Sequence, residues 1–451
     1  MGTEKENQSV IEKTECLKIG KALREKFPRS CHGAWKLRRN SSELVSMLEA
    51  SDRGRVRELV PVRYGRMLVS PFAFLRGAAG VMAHDLSRTP INGLRVQACG
   101  DAHLMNFGGF ATPERHLVFD VNDFDETLPA PWEWDVKRLA ASVMVAGRHL
   151  NFSDRRCEDA TSGAMRAYRE AMGRFAELSA LELWYQRIDA SDVAELAIKS
   201  GEGSAEAPLH PMNRRLFPKI TKSVNGRIRI KDEPPLVYHP RKSDPLIEHF
   251  RGFFHWYRET LSDDRKVLFD RYQFVDTAVK VVGVGSVGTR CAVALFMAGA
   301  DDPLFLQIKE ARHSVLEPYA GVSRYPNHGQ RVVEGQRLMQ SASDMFLGWS
   351  RIPEFGTDCY VRQLRDFKTA ASIDEMDCSQ FADYSRHCGE ALSRAHAKTG
   401  NAGMIAGYLG NSDRFDLAVM RFSQAYADQT ECDFKTLQKA VKAGLIRAAT
   451  V

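Results

Sequence analysis

The stretch Val281-Val282-Gly283-Val284-Gly285-Ser286-Val287-Gly288 decides how the rest of the chain is read. It places G-x-G-x-x-G directly behind an apolar run, Ala278 to Val282, that reads as a strand. Glycines at this spacing let backbone N–H groups approach phosphate oxygens, because no Cβ stands between them. Two folds use the pattern. A dinucleotide-binding fold opens a helix at the third glycine and carries an acid about 20 residues later, where Asp301 and Asp302 stand. A kinase-type sheet continues instead as strand, turn and strand, with a lysine on the third strand. Thr289 to Phe296 is β-branched and alternating at its start, Asp301-Asp302-Pro303 is a turn, and Leu304-Phe305-Leu306-Gln307-Ile308-Lys309 reads as another strand. The second reading is the better match. It makes Gly283, Gly285, Ser286 and Gly288 nucleotide-binding residues and sends Lys309 to the α- and β-phosphates. An acid on the following helix should hold that lysine, and Glu334, within Arg331-Val332-Val333-Glu334-Gly335-Gln336-Arg337, is the candidate.

A second segment completes the chemistry. Leu94 to Cys99 reads as a strand, and Gly100-Asp101-Ala102-His103-Leu104-Met105-Asn106 as the loop leaving it. His116 to Asp125 reads as a further strand running into acids, with alternation placing Asp123 and Asp125 on one face. Phosphoryl transfer uses such a set: one aspartate to orient and deprotonate the attacking hydroxyl, an asparagine and another aspartate to hold magnesium. Kinases carry the glycine loop before the catalytic loop, and here the order is reversed. Cys388 to His396 looks like the helix that precedes the catalytic loop in small-molecule kinases. The chain is therefore expected to be circularly permuted, which surface termini lying close together permit.

Composition limits the alternatives. With 451 residues the chain is long enough for two or three domains or one two-lobed unit. Its 63 Lys+Arg against 57 Asp+Glu leave a net charge of +6, and no basic run of the kind that tracks nucleic acid. Nine cysteines stand singly, without metal-ligand spacing, as suits a reducing cytoplasm. The first residues lack a secretory pattern, and no run approaches the ~18–20 apolar residues of a membrane span. We expect an N-terminal helical arm (1–60), a catalytic-loop region (61–200) and an insertion or connection (201–265). A glycine-loop nucleotide-binding region (266–370) and a C-terminal helical region (371–451) follow. Local expectations include one long helix from Asp154 to Tyr185, a hairpin at Asn225-Gly226, and a helix around Gln330 to Met345. His103 and His396 read as satisfied core histidines. Arg362, Arg365 and Lys368 read as a solvated basic face.

Several stretches together resemble the bacterial domain-of-unknown-function 2252 family. They are Val60 to Met67, Ser70 to Gly77, Cys99 to His103, Asp120 to Thr127, Trp132 to Leu139 and Gln330 to Arg337. That resemblance implies a protein-kinase-like fold. Similarity to aminoglycoside phosphotransferases and choline kinases implies Asp101 as base, with Asn106 and Asp123 as magnesium ligands. Cys99 departs from their pattern, in which His often precedes Gly-Asp. The long spacing from Asn106 to Asp123 leaves Asp120 and Asp125 open as ligands. Asp135 is expected to cap its helix and brace the loop. The expected fold is α+β: a two-lobed protein-kinase-like fold in circularly permuted order, with helical extensions. The expected function is an ATP- and Mg-dependent phosphotransferase acting on an unidentified small-molecule or protein hydroxyl. The alternatives are a nucleotide-binding regulator without turnover, an AMP-transferring enzyme, and a dinucleotide-binding oxidoreductase.

Overall fold

The computed structural model describes residues 12–38, 41–189, 212–234, 236–239, 246–281, 283, 285, 287–352, 356–364, 369–370 and 372–449. It is a mixed α+β structure with several antiparallel sheets. Val282, Val284, Ser286, Arg365 and Lys368 lie outside the described residues.

Six strands form the largest sheet, in the spatial order Gly348–Ile352, Thr357–Gln363, Asp302–Glu310, Cys291–Gly299, Gln273–Lys280 and Val237–Tyr238. All neighbours are antiparallel. The strand carrying Lys309 is central, with Lys309 between Cys291 on one side and Tyr360 on the other. Aromatic rings drive one face shut. Phe253, Phe254 and Tyr257 of the helix Leu246–Glu259 and Phe269 of the helix Asp263–Phe269 pack on Phe296 and Phe346. Phe254 meets Phe296 edge to face at 4.8 Å between centroids. Strand Gly348–Ile352 was not expected from the sequence.

Helices make the other core. Trp132–His149 is buried from Trp132 through Gly147 and packs against Asp154–Glu177, Cys378–Thr399 and Arg414–Lys442. Close approach depends on Gly389, where a Cβ would sit 2.2 Å from the Ala164 carbonyl oxygen. The single helix expected from Asp154 to Tyr185 is two: the first ends at Glu177, and Ser179 with Glu182 forms a capping box that starts Ala180–Tyr185. The helix expected around Gln330 to Met345 is His328–Met339, capped by the Asn327 side chain. Asn225 and Gly226 do turn a hairpin, both at positive φ, between Thr221–Val224 and Arg227–Ile230. A further hairpin, Phe107–Ala111 against Leu117–Val121, fills the spacing between Asn106 and the acids. All nine cysteines are free thiols. Among the described residues no helix is long and apolar enough to cross a membrane.

Segments from the first and last parts of the described chain meet. Leu44, Leu48, Tyr64 and Met67 share a core with Leu437, Ala440 and Ile446, and the Ala449 N–H donates to the Pro61 carbonyl at 2.9 Å. Arg38 bridges these segments by pairing with Asp85 at 2.6 Å and with Asp433. Burial lifts the Asp433 carboxyl from 3.8 to about 6, although Arg38 opposes it. A carboxyl raised on folding favours the folded state fully below its unfolded value and loses that contribution as pH climbs through the folded one. Asp433→Asn should therefore gain on the wild type by on the order of 2–3 kcal/mol between pH 4 and pH 7. Urea unfolding of both proteins at the two pH values checks this; a constant offset between them would refute it.

Candidate active site

The loop after strand Arg95–Ala98 is gripped from below by one helix. Asp135, Arg138 and Ser142 stand at i, i+3 and i+7 of Trp132–His149, hence on one face. Cys99 and Gly100 donate their N–H groups to the two oxygens of Asp135, at 2.6 and 2.9 Å. Arg138 Nε and Nη2 approach Asp101 Oδ1 at 2.8 and 2.6 Å. Ser142 Oγ accepts the Leu104 N–H at 2.9 Å. Buried polar groups need partners, so these three residues of one helix face fix the loop as a unit. Asp135 braces the loop as expected, but it does not cap the helix, which begins three residues earlier at Trp132. Gly100 holds φ at +84°, and a Cβ there would lie 2.4 Å from the Glu126 carbonyl oxygen. The loop and the acidic strand end are thus in backbone contact.

Arg138 occupies only one oxygen of Asp101. The other, Oδ2, lies 3.8 Å from His103 Nε2, and Asp101 and His103 both line a cavity of about 300 Å³. Burial raises the Asp101 carboxyl above its ordinary value, against the pull of Arg138. Asn106 donates its side-chain amide to the Asp101 carbonyl at 2.8 Å, and its Oδ1 accepts no bond among the described residues. His396 is satisfied, between Tyr168 at 2.8 Å and Asp135 at 3.2 Å. His103 is not: it is buried, yet its Nδ1 has no partner, and it lines the cavity. Burial and then Arg138 hold it neutral.

Lys309 reaches the acids across the cleft. Its Nζ sits 2.7 Å from Asp125 Oδ2 and 4.0 Å from Asp123 Oδ2, although 184 residues of chain separate Lys309 from Asp125. The Tyr360 hydroxyl donates to Asp125 Oδ1 at 2.6 Å. Burial pushes the Asp125 carboxyl up, but Lys309 and the Tyr360 hydrogen bond outweigh it and hold it below its ordinary value. Burial likewise pulls the Lys309 ammonium down, and Asp123 and Asp125 together carry it well above. Glu334, expected to hold this lysine, pairs instead with Arg337 at 3.1 Å. Lys309 is already taken up by Asp125, and Arg337 on the next turn takes Glu334. From the same helix Arg331 donates to the carbonyls of Thr127 at 2.7 Å and Asp125 at 2.8 Å. Asp120 is fully buried and taken up by Arg394, 2.7 Å from each oxygen, so Asp123 and Asp125 are the acids that face the cavity.

Gly283 and Gly285 line the same cavity. Positive φ at Gly283 and Gly288 makes the turn. Residues before the cleft in sequence hold it: Arg55 Nη1 donates to the carbonyls of Gly285 at 2.8 Å and Val287 at 2.6 Å, and Arg66 to that of Gly283. No helix opens at Thr289; strand Cys291–Gly299 begins two residues later. Gly283 also borders a second cavity of about 490 Å³, lined by Lys280, Val281, Gln307, Gln336, Arg362 and Gln363 among others. Arg362 is therefore not on a solvated face; it is half-buried and donates to Gln307 Oε1 at 3.1 Å. Arg138, Arg331, Tyr360 and the loop-binding Arg55 were not singled out from the sequence. A signal existed for Arg138, in the i, i+3, i+7 spacing of Asp135, Arg138 and Ser142.

A family model described as "uncharacterized protein conserved in bacteria (DUF2252)" matches residues 55–440. No curated protein and no solved structure matches the chain.

Proposed function

Because the chain belongs to the bacterial DUF2252 family, whose description carries no reaction, the site itself must carry the reading, and we propose that the cleft binds ATP with magnesium and transfers a phosphoryl group to a hydroxyl. One observation supports this above the rest. Lys309 contacts the acids Asp125 and Asp123, and those acids line one cavity with Asp101, Asn106, Gly283 and Gly285. The sheet adds support: counted from Gln273–Lys280, a glycine turn after the first strand, a lysine on the third and a helix before the next two follow the kinase order. The permuted connection belongs to the same proposal. Helix Cys378–Thr399 ends beside the strand leading to Asp101, where Thr399 Oγ1 accepts the Gln97 N–H at 3.2 Å.

In this reading the acceptor oxygen bonds the γ-phosphorus as the β–γ bridging bond breaks, its proton passes to Asp101, and ADP leaves. Arg138 holds Asp101 Oδ1, which leaves Oδ2 to receive that proton. Lys309 meets the phosphates. Asn106 Oδ1 and the carboxylate of Asp123 are hard oxygen donors that fit magnesium, and Asp125 adjoins them on Lys309. Magnesium, when bound, neutralises charge on the phosphate oxygens. Calorimetry of the full chain with ATP, with and without magnesium, tests the reading. Magnesium-dependent binding of ATP is expected; binding of NADH with none of ATP would sink it. With an acceptor in hand, ADP as the product marks phosphoryl transfer, and pyrophosphate would mark AMP transfer instead.

A further inference from the structure

The segment between the lysine strand and helix His328–Met339 carries three side chains that the proposed phosphotransfer does not use. His313 follows the strand, Glu317 opens the short helix Glu317–Ala320, and His328 opens His328–Met339. Folding brings them together. His313 Nδ1 lies 2.7 Å from Glu317 Oε2, His328 Nδ1 lies 3.8 Å from Glu317 Oε1, and the two imidazole centroids are 4.0 Å apart. All three groups offer a donor atom within 4.8 Å of the others.

Hydrogen bonding accounts for only half of this cluster. The pair His313–Glu317 is bonded, yet among the described residues the buried atoms Glu317 Oε1 and His328 Nδ1 have no hydrogen-bond partner and face each other beyond bonding distance. The Glu317 side chain is 8% exposed, so water does not readily satisfy that oxygen. A cation between them would satisfy both. Two imidazole nitrogens and one carboxylate oxygen are the donors of a borderline divalent ion; magnesium and calcium prefer oxygen alone. Zinc bonds such atoms at about 2.0–2.2 Å, which sets tetrahedral ligands roughly 3.3 Å apart. The observed 2.7 and 3.8 Å straddle that spacing.

We propose that His313 Nδ1, the Glu317 carboxylate and His328 Nδ1 bind a zinc ion, with a fourth position left for water or a ligand. His313 borders the cavity that Asp101 and Asp123 also line, but the donors of this site are other atoms, and the proposal does not depend on the phosphotransfer reading. Its position gives it a structural consequence. Between the first two ligands, Ser314 Oγ donates to the Glu126 carbonyl at 2.6 Å and the Val315 N–H donates to the Glu126 carboxylate at 2.7 Å. Beyond the third, Arg331 holds the Asp125 carbonyl. The ion would tie the end of the lysine strand to the helix that holds the acidic loop.

The test uses the full chain made without a polyhistidine tag, stripped with a chelator and titrated with zinc chloride by calorimetry. One ion per chain is expected. His313→Ala, which removes a largely exposed ring, and Glu317→Gln, which keeps the shape, should each weaken binding by more than the roughly 10–100-fold that outer-shell partners cost. Asp123→Asn should bind zinc as the wild type does. Cobalt(II) should give the visible bands of a nitrogen- and oxygen-ligated ion, without a thiolate charge-transfer band. The proposal is overturned by absence of binding or by wild-type affinity in His313→Ala. A thiolate band, or loss of binding in Asp123→Asn alone, overturns it equally.

Discussion

Asp101→Asn is expected to lower turnover by about 10²–10⁴-fold while nucleotide affinity stays near that of the wild type. The expectation follows from which oxygen does what. Oδ1 is committed to Arg138, and Oδ2 lies 3.8 Å from His103 Nε2. Asparagine keeps an acceptor for Arg138, so the loop held by Asp135, Arg138 and Ser142 should persist. What disappears is a group able to take a proton, and that group acts on the acceptor hydroxyl in the transition state. Asp123→Asn should behave differently. A metal ligand meets the nucleotide complex in the ground state as well, so magnesium-dependent affinity should fall together with rate. Binding and ATP consumption measured on both variants separate the roles. Full activity in Asp101→Asn would remove this loop from the chemistry.

Lys309→Met should cost both folding stability and magnesium-dependent nucleotide binding. Lys309 is 3% exposed and lies within 4.0 Å of both Asp123 and Asp125. Deleting one member of a buried pair leaves the other charge uncompensated, which typically costs 3–5 kcal/mol. Asp125 retains some solvent contact and the Tyr360 hydrogen bond, so about 3 kcal/mol is expected here. The double variant Lys309→Met, Asp125→Asn removes the stranded charge. It should recover much of the stability in urea unfolding and none of the binding. Recovery of both would make Lys309 a structural lysine with no part in phosphate recognition.

Residues close in sequence were readable because their geometry is local. The glycine turn, the strands on either side and the strand of Lys309 follow from alternation and spacing. So does the loop that sets Asp101 five positions ahead of Asn106, and the hairpin at Asn225-Gly226. A β-branched segment after Gly288 was enough to expect a strand where a dinucleotide fold needs a helix, and a strand stands there. Pairings between distant segments were not readable. Asp120, Asp123 and Asp125 look alike in a run of acids, and only packing against Arg394 buries the first while Lys309 and Tyr360 claim the third. Glu334 looked like the partner of Lys309 because a helix there was legible, but not that Asp125 would take the lysine and Arg337 the glutamate. The hairpin Phe107–Ala111 escaped notice because Gly108 and Gly109 carry no side chains to alternate. The meeting of His313, Glu317 and His328 needs two turns of the backbone to converge. Local steric and periodic preferences act within a few residues and are written in the chain, whereas burial and ion pairing are decided by whichever surfaces the fold brings together.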